Sequence, residues 1–160
     1  MFKKLFGKKE TEKFLSPLKG ELIPITEVPD EVFAGKMMGD GFAIVPKDNT
    51  VVSPITGKVI NIFPTKHAIG ILADSGREIL IHVGIDTVEL KGEGFETLVG
   101  IDDHVEAGQP LLKVDFDYVG KNATSVITPV IFTNLNESET VTLEKQGAVE
   151  QGAEGIISIK

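Results

Sequence analysis

Apolar and polar residues alternate with a period of two through most of this chain, and helical periodicity is scarce. The runs GELIPI, GFAIV, TVVSP, KVINIF, AIGILAD, REILIHVG, PLLKVDF, SVITPVIF, TVTLEK and GIISIK are short and rich in β-branched residues. The 17 glycines and 8 prolines fall largely between them. Short strands punctuated by turn signals predict an all-β domain, an antiparallel sandwich or barrel with at most a few short helical turns. Two segments are expected to make such turns: PDEVFAGKMM, with Asp30 placed as its N-cap, and FDYVGKNA.

One internal echo bears on the architecture. SPLKGEL, from Ser16 to Leu22, matches SPITGKV, from Ser53 to Val59, at most positions. A Ser-Pro turn, a glycine with free backbone angles and then a strand produce both segments. The echo is read as a duplicated β-motif.

The stretch KHAIGILADSGREILIHVG, from Lys66 to Gly84, holds His67 and His82. Asp74-Ser75-Gly76 supplies a hairpin turn between two alternating arms. Folding there sets residues whose numbers sum to about 150 opposite each other, and the two histidines fall within one position of that register. They are therefore expected to be cross-strand neighbours. Alternation puts Ile79, Ile81 and Val83 on one face of the second arm, and Leu80 and His82 on the other. His104, in the loop IDDHVEAGQ, has no such partner and is expected at the surface.

Facing imidazoles support several chemistries. They can ligate zinc, although a pair alone leaves the tetrahedral shell incomplete. They can serve as acid and base, or one can be a nucleophile whose adduct the other stabilises. For phosphoryl transfer the residue type fits well. Imidazole is neutral and nucleophilic near neutral pH, and a carbonyl on one ring nitrogen leaves the other exposed. A second imidazole then donates to the phosphoryl oxygens.

Composition narrows the field. At 160 residues, with 41% hydrophobic and 25% charged positions, the chain suits one globular domain. It has no cysteine, which removes disulfide and thiolate chemistry. No apolar run approaches the roughly 18 residues of a membrane span, and MFKKLFGKKE lacks the apolar core of a signal peptide. A cytoplasmic protein is expected. The net charge of −8 is uneven: residues 1–13 carry five lysines against two glutamates, so the rest is more acidic still. Nucleic-acid binding is therefore not expected, while a basic protein partner is. Residues 1–15 read as a flexible basic tail. Within it Phe2, Leu5 and Phe6 among the lysines allow weak contact of residues 1–13 with an anionic membrane.

HVGIDTVELKGEGFE (His82 to Glu96), VPDEVFAGKMMGDGFAI and FPTKHAIG together resemble the glucose-type enzyme IIA family of the bacterial phosphoenolpyruvate:sugar phosphotransferase system. The likeness runs from Ser16 to the C-terminus and marks residues 16–160 as one EIIA domain. It implies a β-sandwich with a jelly-roll-like duplicated hybrid motif. It also implies a phosphocarrier that takes a phosphoryl group from phospho-HPr on Nε2 of His82 and passes it to the IIB domain of a sugar permease. His67 is then the stabilising histidine and Thr65 the residue orienting it. Asp30 and Asp86 match the acidic positions facing a basic partner. Phe33, Met38, Phe63, Leu80, Val83 and Val88 match the apolar docking rim. Leu80 and Val83 stand where enteric relatives carry phenylalanine, and Gly35 where they carry an acidic residue. No cofactor is implied as obligatory, although zinc held by His67, His82 and a partner carboxylate occurs in enteric members. A monomer is expected, since the carrier docks two partners in turn.

Three other readings compete with this one. HVEAGQPLLKVD resembles the hairpin of biotin and lipoyl carriers, but no lysine follows at a hairpin tip. A zinc peptidase of related fold would need a His-x-His pair that is absent. A non-catalytic regulatory module, choosing partners by its phosphorylation state, is the alternative function.

Overall fold

The computed structural model describes residues 12–160. The strands, in chain order, are β1 (Gly20–Pro24), β2 (Asp40–Pro46), β3 (Thr50–Val52), β4 (Gly57–Ile62), β5 (Ala68–Ala73) and β6 (Glu78–His82). There follow β7 (Phe95–Thr97), β8 (His104–Val105), β9 (Pro110–Val114), β10 (Thr128–Phe132), β11 (Val141–Leu143), β12 (Gly147–Val149) and β13 (Ile157–Ile159). Each run expected from alternation contains a strand. The unexpected ones, β7, β8 and β12, are two or three residues long, too short to show a period. Both expected helical turns form: α1 (Glu31–Ala34) and α2 (Phe116–Asn122). The Asp30 carboxylate caps α1 by accepting from the amides of Val32 at 2.8 Å and Phe33 at 3.4 Å.

The large sheet has the order β12-β1-β2-β10-β6-β5-β4-β8. It has two free ends, so the fold is a sandwich and not a closed barrel. Read from either end, the order runs short strand, repeat strand, hairpin partner, central strand. The sequence echo underlies this symmetry. Ser16 and Ser53 are both fully buried; Ser16 Oγ donates to the Leu18 carbonyl at 2.8 Å and Ser53 Oγ to that of Ile55 at 2.6 Å. Gly20 and Gly57 open β1 and β4, and a Cβ on either would lie within 2.2 Å of a carbonyl oxygen on the adjacent strand. The repeats also grip each other. The Leu15 amide donates to the Pro54 carbonyl at 2.8 Å, and the Val52 amide to that of Pro17 at 3.0 Å. These reciprocal bonds make the duplication a property of the fold.

Two apolar clusters lie on opposite faces of the large sheet. The larger fills the space beneath β3-β9-β7 and holds Phe42, Ile69, Ile71, Ile79, Ile81, Val83 and Phe132. Burying each of its largest side chains contributes about 1.5–3 kcal/mol. The smaller gathers Ala43, Ala68, Leu80 and Ile131 on the outer face, under Ile25, Val28 and Phe33 from the β1–β2 connection. That outer face carries the histidines.

The expected tail boundary needs correction. Phe14 packs its ring 6.1 Å from Phe42 and 5.5 Å from Phe132, and Leu15 is buried. Residues this apolar are drawn into the core, so the ordered domain begins before Ser16. Most of the basic segment expected to touch a membrane, residues 1–11, lies outside the described residues.

Candidate functional site

The turn at Asp74–Gly76 closes the β5–β6 hairpin, with Gly76 at φ 99° and its amide donating to the Ala73 carbonyl at 2.8 Å. The register pairs Ala68 with His82 and Ile69 with Ile81, one position from a direct His67–His82 pair. Strict alternation would then send the two imidazoles to opposite faces. They nevertheless meet, with ring centroids 4.8 Å apart and planes at 78°. The reason is local: Lys66 is left-handed at φ 64° and β5 begins only at Ala68, so His67 escapes the pleat. Its carbonyl still accepts from the Val83 amide at 2.7 Å, which holds the two arms together.

Four rings form a line across the outer face. Phe33 lies 4.9 Å from His82, and Phe63 stands edge-on to His67 at 5.3 Å. The two imidazoles differ in exposure. His82 is half-buried, but His67 is only 3% exposed, because the turn that releases it also tucks it beneath Phe63.

Each ring is held through Nδ1. His82 Nδ1 lies 2.9 Å from the Gly84 carbonyl, which can only accept, so in the neutral ring the proton sits on Nδ1 and the lone pair on Nε2. His67 Nδ1 lies 2.7 Å from Thr65 Oγ1. Burial and the neighbouring His82 lower the pKa of His67 to about 4. His82 is also lowered, by burial, against the opposing pull of the Gly84 carbonyl and of Asp30 and Asp86. Both rings are therefore neutral at physiological pH, and His82 presents an unprotonated nucleophile.

Around this pair the expected rim residues fall into three groups. Met38 and Val88 are exposed, at 41% and 51%. Phe33 and Leu80 are buried apart from an edge, and Phe63 is half-buried. Val83 has no exposed surface and belongs to the inner core, which corrects its place in the rim. It lies beyond the end of β6, and its neighbours in the inner core draw the side chain inward. Val32 and Met37, which the sequence did not single out, add exposed apolar surface on and just beyond α1. Asp30 and Asp86 both lie close enough to influence His82. His104 is exposed, 3.2 Å from Glu106.

The family described as phosphoenolpyruvate-dependent sugar phosphotransferase system, EIIA 1, matches residues 12–138. The chain belongs to this family. It is 50% identical to the "PTS system glucose-specific EIIA component" of Staphylococcus aureus (strain COL) over 99% of its length and 98% of that protein's. The component of the same name from Staphylococcus epidermidis (strain ATCC 12228 / FDA PCI 1200) is also 50% identical, with the same coverage. Among solved structures, the glucose permease IIA from Mycoplasma capricolum superposes with a TM-score of 0.88 at 46% identity, covering 96% of this chain and 99% of that one. The chain is thus a component of a phosphotransferase system.

In this EIIA domain the two imidazoles supply only part of a metal shell. Among the described residues no group of three or more histidine, cysteine, aspartate or glutamate side chains is arranged to hold an ion. Both Nδ1 atoms are engaged, which leaves Nε2 of His67 and His82 as ring donors. Such a pair fits zinc only if a docked partner completes the shell. Sequence reasoning also missed Thr124, whose hydroxyl donates to the Asp86 carboxylate at 2.5 Å. It lies 38 positions further along, on the chain that follows α2, and no local pattern announces it.

Proposed function

We propose that this EIIA domain is a phosphocarrier for sugar uptake in which Nε2 of His82 accepts a phosphoryl group from phospho-HPr and hands it to a IIB domain. The Nε2 lone pair forms the new N–P bond as the N–P bond to the donor histidine breaks. In onward transfer a nucleophile of the IIB domain forms the new bond to phosphorus as the Nε2–P bond of His82 breaks. What carries the reading is the Nδ1 contact of His82 with the Gly84 carbonyl at 2.9 Å. It leaves the nucleophilic nitrogen free, on a half-buried ring next to a second imidazole. His67 donates from Nε2 to the moving phosphoryl oxygens when Thr65 donates to its Nδ1. A buried neutral donor needs no reorganisation, and its proton affinity rises once a dianion arrives.

Asp30 and Asp86 face a basic partner, and Phe33, Phe63, Met38, Leu80 and Val88 supply the apolar contact. Such a transient interface is small and relies on electrostatics for encounter rate. The domain works as a monomer in the cytoplasm, docking its partners in turn. The names of the relatives make glucose the first sugar to test.

The deciding experiment incubates the full chain with labelled phosphoenolpyruvate, enzyme I and HPr. Label should appear on the chain, be lost in acid and kept in alkali, and map to His82. A non-catalytic binding module would take up no label. Label on a hydroxyl residue, or on His67, overturns the assignment.

A further inference from the structure

Of the buried polar side chains, Thr87 has no part in the chemistry so far, although it is fully enclosed a few residues from His82. Its hydroxyl donates to the Val83 carbonyl at 2.6 Å, closing the turn that contains Gly84 and the left-handed Asp86. Gly84 itself has φ 75°. A Cβ at Gly84 would lie 2.5 Å from the Thr87 methyl and 2.9 Å from the Ser125 carbonyl. Thr87 therefore fills the face of Gly84 that has no side chain, while its hydroxyl grips the carbonyl just before it. On the far side, the Ile85 amide donates to the Ser125 carbonyl at 2.9 Å.

The peptide planes flanking Gly84 are thus pinned one by Thr87 and the other by Ser125. What they aim is the Gly84 carbonyl, which accepts from His82 Nδ1. If that carbonyl swings away, nothing holds the proton on Nδ1, and the ring exchanges freely between its two neutral tautomers. The tautomer protonated on Nε2 cannot attack phosphorus.

We propose that Thr87 is a positioning residue for phosphoryl acceptance: its hydroxyl holds the Val83–Asp86 turn so that the Gly84 carbonyl selects the Nδ1-protonated tautomer of His82. The proposal rests on reading His82 as the acceptor. Buried hydroxyls often serve stability alone, so the test needs a readout that a stabilising role would not move.

Thr87→Val keeps the side-chain shape and deletes the hydroxyl, whereas Thr87→Ser keeps the hydroxyl and deletes the methyl. The tautomer of His82 is read by nitrogen NMR of isotope-labelled imidazole in the unphosphorylated full chain near neutral pH. Uptake from phospho-HPr is timed separately. The parent chain and Thr87→Ser should hold one tautomer, protonated on Nδ1. Thr87→Val should show a mixture, and its uptake should fall about tenfold to a hundredfold, as expected of a misaimed reacting group. A folded Thr87→Val with an unchanged tautomer overturns the proposal. So does a Thr87→Ser that loses the tautomer, and this outcome decides the matter if the valine variant does not fold. Because the tautomer is read without phosphate, a parent chain that accepts no label overturns the carrier reading while the NMR comparison still decides the role of Thr87.

Discussion

The two halves of the large sheet are built on one frame and put to different uses. Ser16 and Ser53 make the same buried hydrogen bond, and Gly20 and Gly57 make the same close approach to a neighbouring strand. Gly20 pairs with Pro46 as Gly57 pairs with Ala73. At the centre Val130, opposite Phe42, pairs with Ile81, opposite Ile69. One step along, Ile131 faces Gly41 in the first half, and His82 faces Ala68 in the second. Equivalent frame positions thus hold a fully buried isoleucine and a half-exposed histidine.

The connections explain the difference. Between β1 and β2 a long segment crosses the outer face, where Ile25 and Val28 join the cluster containing Ile131. Its far end supplies Asp30, Phe33 and Met38 at the rim. Between β4 and β5 the chain makes only a short turn, which delivers Thr65 and His67. In the first half the residue before Gly41 is Asp40, whose carboxylate accepts from its neighbour's amide at 2.8 Å and from Val141 at 2.9 Å. That position is structural; its counterpart, His67, is available for chemistry. Duplication supplied a rigid frame, and unequal loops confined the chemistry to one side of it.

The sharpest way to break this comparison is to alter the equivalent central positions. His82→Gln should abolish phosphoryl uptake while the chain stays folded. Ile131→Val should leave uptake intact and cost about 0.5–1.5 kcal/mol in denaturant unfolding. Uptake by the His82 variant would remove the functional half of the contrast.

His67→Gln probes the second-half turn. It keeps the nucleophile but replaces a buried imidazole that can gain a proton. Uptake should survive at a reduced rate, with onward transfer slowed by ~10²–10³. Equal slowing of both steps, measured by single-turnover transfer, would make His67 a docking residue instead.

The frame itself is tested by Gly20→Ala and Gly57→Ala. Either Cβ would lie within 2.2 Å of a carbonyl oxygen, and sheet backbone cannot retreat without breaking its ladder. Each variant should lose about 3 kcal/mol or more in thermal unfolding, with similar losses in the two halves. A large loss in one half alone would mean that the halves do not share the load.

The smallest effect is a pH dependence that only the second half has. His67 is held at about 4 in the folded chain, against roughly 6.5 when unfolded. Below that unfolded value the unfolded chain binds a proton that the folded one refuses. Stability is therefore full above it and falls as pH drops towards the folded value. Between pH ~7 and ~5 the loss should be roughly 2 kcal/mol, and His67→Gln should remove that part of the slope. An unchanged slope in the variant would assign the acid sensitivity to other groups.

The sequence by itself determined what is local. Alternation placed Ile79 and Ile81 in the core and Leu80 and His82 on the other face, because a strand's side-chain period is fixed by covalent geometry. The turn at Asp74–Gly76 brought the histidines near each other, since a hairpin's register follows from its turn. Asp30 showed itself as a cap through its place before a helical turn. Tertiary structure decided the rest. The one-position offset of the hairpin was absorbed by Lys66, whose left-handed φ no propensity signals in a lysine. Val83 lies in the core where alternation had set it, beside Ile79 and Ile81, so the rim place implied by the resemblance fails; Phe14 is core because Phe42 and Phe132 leave room for its ring. The Thr124 bond to Asp86 and the Ser125 contacts beside Gly84 join segments far apart in the chain. Such contacts leave no periodic trace, because their energy depends on where the whole chain brings them and not on their neighbours in sequence.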